Sequence, residues 1–199
     1  MKQMKLTSFI YIFSLSLILI FTGVELKAQD KKILPAADQP ELYLSKLSGK
    51  SVGIVANQTS ILTRSNQKHV VDFLLEKGIS VKKVFVPEHG FRGVADAGEK
   101  VDNTIDSKTG LPIISLYGNN KKPTAAQIKD LDLIIFDLQD VGVRFYTYIS
   151  TMHYVMEAAA ENGIPVMIFD RPNPNGDYIA GPVLKPGFES FVGMHPIPV

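Results

Sequence analysis

The chain has 199 residues, 45% hydrophobic and 21% charged, enough for one domain with a single buried core. Its formal net charge is +1 with no long block of one sign, which excludes the electrostatic footprint of a nucleic-acid-binding protein. It contains no cysteine, so disulfides and thiolate metal sites are excluded too.

Lys2 and Lys5 precede a nearly unbroken apolar run from Leu6 to Phe21, and residues 22–29 turn polar, with small Ala28 as a cleavage point. That is the form of a secretory signal peptide over residues 1–28, which predicts an exported, periplasmic or secreted protein with no stable membrane insertion after cleavage. An uncleaved anchor is the competing reading, since the run approaches the roughly 18 to 20 apolar residues of a bilayer span. Residues 29–50 carry Pro35 and Pro40 and predict an extended N-terminal arm with a short helical turn near Leu42 to Leu47.

From Ser51 a pattern repeats: a short apolar run, a polar end, then a helix-like segment. It predicts a parallel sheet with crossover helices. The expected strands are Val52–Ala56, Val81–Val86, Pro112–Tyr117, Leu133–Leu138 and Pro165–Phe169. Helices are expected over His69–Lys77, stopped by Gly78, over Thr124–Leu131 with Thr124 as cap, and before Asn162-Gly163. Residues 94–110 have little periodicity and read as a long functional loop. The ending Gly193-Met194-His195-Pro196-Ile197-Pro198-Val199 reads as the approach to another element, so the chain is expected to be part of a longer protein.

The polar ends of the strands converge on one edge of such a sheet, where open α/β sheets hold ligands. The densest is Pro87-Glu88-His89-Gly90-Phe91-Arg92-Gly93, an acid, an imidazole and a guanidinium between tight-turning glycines. Glu88 can be a general acid if the apolar strand and Pro87 desolvate it, or a structural carboxylate paired with Arg92. His89 either transfers a proton or orients its neighbour. Asp137 and Asp140 can bind a metal or activate water, yet no histidine pair completes a ligand set; otherwise one bonds loop amides and the other meets Arg144. Arg144, with Tyr146 and Tyr148, suits a carboxylate on a hydroxylated substrate, or forms a helix-start salt bridge beside packed aromatics. Asn57, Asp170, Arg171 and Asn173 add further polar groups at strand ends. No G-x-S-x-G, phosphate-cradling loop or dinucleotide fingerprint is present, so no cofactor is expected.

Taken together, Val55-Ala56-Asn57-Gln58-Thr59-Ser60, the Pro87–Gly93 motif, Asp96-Ala97-Gly98-Glu99, Asp137-Leu138-Gln139-Asp140-Val141-Gly142, Arg144-Phe145-Tyr146-Thr147-Tyr148, Asp170-Arg171-Pro172-Asn173-Pro174 and Gly193–Pro198 resemble the exo-β-N-acetylmuramidase family NamZ, formerly a domain of unknown function. The resemblance implies a Rossmann-like α/β fold, an open, mainly parallel sheet with helices on both faces, over residues 51–192. Residues 193–199 would then begin a linker to a smaller C-terminal domain absent here. It further implies release of N-acetylmuramic acid from non-reducing ends of peptidoglycan fragments, with Glu88 as catalytic carboxyl and His89 beside it. Asn57, Arg92, Asp137, Asp140, Arg144, Tyr146, Tyr148, Asp170, Arg171 and Asn173 are the expected saccharide-binding residues, with Arg144 favoured for the lactyl carboxylate. A non-catalytic amino-sugar-binding domain is the alternative from another class, and a metal-dependent hydrolase using Asp137 and Asp140 the third.

Overall fold

The computed structural model describes residues 33–93 and 103–199. The expected signal peptide and residues 94–102 of the predicted long loop lie outside the described residues. After two 3-10 turns at Ala36–Asp38 and Pro40–Leu42, the elements are α1 (Leu44–Leu47), β1 (Ser51–Ala56), β2 (Ile61–Leu62), β3 (Lys68–His69), α2 (Val70–Glu76), β4 (Ser80–Val86), β5 (Thr104–Ile105), β6 (Pro112–Ser115), α3 (Ala125–Ile128), β7 (Leu133–Asp137), α4 (Tyr148–Glu161) and β8 (Val166–Ile168). Among the described residues no helix is long and apolar enough to cross a membrane.

Six strands form one sheet in the order β5-β6-β4-β1-β7-β8. Every neighbouring pair is parallel except β5–β6. Numbering only the parallel strands along the chain gives the spatial order 3-2-1-4-5, the order of a Rossmann-like sheet. The central strands β1 and β7 are almost wholly buried, as a parallel strand covered on both faces must be, and this is why they read as continuous apolar runs rather than alternating ones.

Alternation still decides which layer each side chain joins. Val52, Ile54 and Ala56 of β1 pack with α2 and with Ala37, Tyr43 and Leu47 of the N-terminal turns. Val55 of β1 and Phe85 of β4 pack on the opposite face with α3 and α4. The segment after residue 33 is therefore fastened to the sheet, with Ala37 and Leu47 fully buried and the Ala36 amide donating to the Asp170 carbonyl at 2.8 Å. In α4, Tyr148, Thr151, Val155 and Ala158 are buried at helical spacing.

Two features escaped the periodicity. β2 and β3 pair antiparallel over two residues each, and β5 adds an exposed antiparallel edge within the expected loop. Neither is long enough to show a two-residue period. Helix α3 is shorter than expected, although Thr124 does begin it, forming a capping box with Gln127.

Candidate active site

The strand ends do lie along one edge, but they divide into four groups that do different work. The first is an open cleft of about 490 Å³, within the roughly 300–1,000 Å³ of small-molecule sites. Glu88 beyond β4, Tyr117 and Lys121 beyond β6, Thr147 at the start of α4, and Ser190 and Phe191 of the C-terminal segment line it. The Tyr117 hydroxyl donates to Glu88 Oε1 at 3.2 Å, and that hydrogen bond is the main cause raising the Tyr117 phenol above its ordinary value. Glu88 and His89 are each half-buried. His89 adopts φ +73° and Gly90 the same value, so the chain reverses through two consecutive left-handed residues. A non-glycine residue there marks a backbone held by its surroundings.

The second group fills the crevice between β1 and β7, where the strand order reverses and a Rossmann-like sheet usually holds its ligand. Here protein side chains occupy it. Asp137 is completely buried, and its two oxygens accept from Arg171 Nε at 2.6 Å and Nη2 at 3.0 Å. Burial raises the Asp137 carboxyl above its ordinary value, opposed by that two-point pairing with Arg171. Nη2 of Arg171 also reaches the Ile61 carbonyl. Asn57, equally buried, accepts from the Thr59 amide and hydroxyl and donates from Nδ2 to the Tyr148 hydroxyl at 2.7 Å. Burial and a hydrogen bond with Tyr146 push the Tyr148 phenol well up, and the two rings meet edge to face at 4.7 Å. Asn57, Asp137 and Arg171 thus hold the edge together from inside, and neither Asp137 oxygen is presented to a ligand.

His69 belongs to this interior, and the sequence reading placed it only at the start of a helix. Its Nδ1 accepts from the Val71 amide, capping α2, which requires that Nε2 carries the proton donated to the Asn57 carbonyl. Burial lowers its pKa. Sequence capping signals are Ser, Thr, Asp and Asn, so nothing local marks a histidine as such a cap.

A third group latches two loops. Gln139 Nε2 donates to the Pro172 carbonyl, and Asn175 Nδ2 donates to the Val141 carbonyl. Asp140 Oδ1 accepts from the Gly142 amide, and Asn173 Oδ1 from the Asn175 amide. Gly142, at φ +71°, lies directly against the Asn173 amide, so a Cβ there would collide with it. The Asp170 side chain is exposed beside this latch. Among the described residues no group of three or more His, Asp, Glu or Cys is placed to share a metal ion.

The fourth group is a clasp around Arg92, which pairs with Asp106 at 2.8 Å and Asp72 at 3.0 Å rather than joining the cleft. Lys108 also reaches Asp72 at 2.6 Å. Arg144 points elsewhere again: its Nη1 donates to the carbonyls of Pro182 and Ile197. It thereby pins the C-terminal segment, whose His195 also meets His153 of α4 at 3.3 Å. Of the expected site residues, the structure sets Glu88 in the cleft and Tyr148 in the buried network around Asn57. Tyr117, which ends the third expected strand, joins Glu88 in the cleft, whereas Lys121, Thr147 and Phe191 were not expected, because their common wall exists only once β4, β6, α4 and the C-terminal segment meet.

A family model described as "Exo-beta-N-acetylmuramidase NamZ, N-terminal" matches residues 52–199. The chain belongs to the NamZ N-terminal family. It is 52% identical over 159 residues to the peptidoglycan beta-N-acetylmuramidase NamZ of Bacillus subtilis (strain 168), a match covering 79% of this chain and 38% of that protein. Crystal structures of two DUF1343 family proteins from Bacteroides fragilis NCTC 9343 share the fold. One is 44% identical with a TM-score of 0.73 and the other 40% identical with a TM-score of 0.74; each match covers 83% of this chain, and 42% and 41% of those chains respectively. The chain thus spans about two fifths of the length of these relatives.

Within this NamZ domain the Arg92 clasp carries a pH signature. Hydrogen bonding from Arg92 is the main cause holding the Asp106 carboxyl well below its ordinary range. Burial pushes Asp72 up, but the hydrogen bonds from Arg92 and Lys108 more than offset it, so it too is lowered. Both carboxyls have folded values below their unfolded ones. Their stabilisation is therefore present above about pH 4 and is lost as pH falls below it. Arg92→Leu is expected to cost about 1 to 2 kcal/mol at neutral pH, discounted for the partly exposed guanidinium. It should also flatten the acid limb of stability between about pH 4 and 2. Urea midpoints across that range give the slope; a variant as acid-labile as wild type would contradict the assignment.

Proposed function

We propose that this chain supplies the catalytic domain of an exo-acting glycoside hydrolase that releases N-acetylmuramic acid from the non-reducing ends of peptidoglycan fragments, in cell-wall turnover and recycling. The observation that carries this is the place of Glu88: half-buried, one residue beyond the buried end of β4, oriented by Tyr117, and open to a cleft of sugar-binding size. In that position it plays the general acid of glycoside hydrolysis, giving its proton to the leaving glycosidic oxygen. The name of the Bacillus subtilis relative supports a peptidoglycan saccharide as substrate. His89 follows Glu88 in a constrained turn and acts on its orientation. We take residues 1–28 as a signal peptide that exports the protein, testable by sequencing the mature N-terminus, residues 29–50 as its N-terminal arm, and residues 51–192 as the catalytic domain, with a linker starting at residue 193.

Incubating the native full-length gene product with a chromogenic N-acetylmuramide tests the reading. Continuous release of N-acetylmuramic acid over many turnovers is expected. Stoichiometric binding without turnover would instead make the cleft a saccharide-binding site.

A further inference from the structure

We propose that Lys121 selects the muramoyl unit by pairing its ammonium with the lactyl carboxylate, an inference that rests on the Glu88 cleft being a muramidase site. N-acetylmuramic acid differs from N-acetylglucosamine by a lactyl ether that ends in a carboxylate, so preference for the former needs a cation in the sugar's own cleft. The arginines of the strand-end edge are committed elsewhere. Arg92 holds Asp72 and Asp106, Arg171 holds Asp137, and Arg144 holds the Pro182 and Ile197 carbonyls. Among the described residues, Lys121 is the cation that lines the Glu88 cleft.

Its surroundings present it to that cleft. The loop after β6 is fixed on both sides of Lys121: Asn120 Nδ2 donates to the Ser115 carbonyl at 2.9 Å, and Lys122 pairs with Glu157 and Glu161 of α4. Pro123 behind them is buried. Adjacent lysines therefore divide their work, one tying the loop to α4 and the other facing the cavity. Among the described residues no carboxylate pairs with Lys121. Its Nζ rests 4.7 Å over the Phe191 ring, which itself lies nearly parallel to Tyr154 at 6.1 Å. An aromatic face steadies an ammonium without neutralising it, leaving the charge available to an incoming carboxylate. A flexible, strongly hydrated ammonium also suits an anion on a short ether arm that must later be released.

The test compares wild type, Lys121→Met and Lys121→Arg in the native full-length gene product. Substrates are a chromogenic N-acetylmuramide, its lactyl methyl ester and the matching N-acetylglucosaminide. For Lys121→Met the kcat/KM ratio of muramide to glucosaminide should fall about 10- to 100-fold, the scale of one hydrogen bond between charged groups, mainly through KM. Lys121→Arg should restore most of the ratio, and the methyl ester should erase the difference between wild type and Lys121→Met. An unchanged ratio overturns the proposal. If wild type hydrolyses neither sugar, the muramidase reading fails by itself. Calorimetric binding of free N-acetylmuramic acid and N-acetylglucosamine then decides the Lys121 site. A preference for the acid that disappears in Lys121→Met supports it, and equal affinity of wild type for both sugars overturns it.

Discussion

Glu88→Gln in the native full-length gene product lowers the kcat for N-acetylmuramide hydrolysis by about 10² or more while substrate binding persists. The substitution keeps the side chain's size and the oxygen that accepts from Tyr117 at 3.2 Å, so the loop should stay in place. What it removes is the transferable proton, and loss of a positioned general acid typically costs 10²- to 10⁴-fold, or about 3 to 5 kcal/mol of transition-state stabilisation. KM should move little, because the amide occupies the same space in the ground state. Steady-state kinetics on the chromogenic muramide separates the two constants. Turnover near the wild-type rate would make Glu88 a structural carboxylate of the cleft and pass the acid role to another group.

The second large effect is on stability and comes from the buried pair. Removing the guanidinium with Arg171→Met leaves Asp137, 0% exposed, without its partner. Breaking a buried ion pair from one side typically costs about 3 to 5 kcal/mol, because the remaining charge is stranded away from water. For a domain of this size that corresponds to a fall in Tm of roughly 6 to 20 °C. The double variant Asp137→Leu/Arg171→Met should recover a large part of the loss, since the cost lies in the stranded charge rather than in the pair. Thermal unfolding of the three proteins reads this. A single variant within about 1 kcal/mol of wild type would show that water reaches Asp137 and that the crevice between β1 and β7 is open to a ligand after all.

The parallel sheet was legible in Val52–Ala56 and Leu133–Leu138 because a strand covered on both faces has to be apolar along its length, and in Val81–Val86 from its β-branched and aromatic end, Val84-Phe85-Val86, which is buried although Lys82 and Lys83 before it are not. Thr124 as a cap and Gly78 as a stop were legible for an equally local reason, the needs of free backbone groups at helix ends. The antiparallel edge at Thr104–Ile105 was not, since its two exposed residues owe their conformation to β6 alongside them. For the same reason α3 ends earlier than its propensity suggests, the chain turning at Lys129 to bring Leu131 and β7 onto the sheet.

In the site, the sequence by itself determined which residue types stand at the strand ends, because the chemistry of Glu88, Arg92, Asp137, Arg144 and Arg171 is carried by their side chains wherever they lie. It also determined that Glu88 stands one residue beyond an apolar strand end, which fixes it at the carboxyl edge. What each charge faces was decided only by the tertiary structure. Arg92 meets Asp72 and Asp106, Arg171 meets Asp137, Arg144 meets two carbonyls, and the cleft is left to Glu88, Tyr117 and Lys121. Those pairings join residues 14 to 53 positions apart. Coulombic and hydrogen-bond energies depend on separations of a few ångströms, which are set by strand order and packing and not by position along the chain.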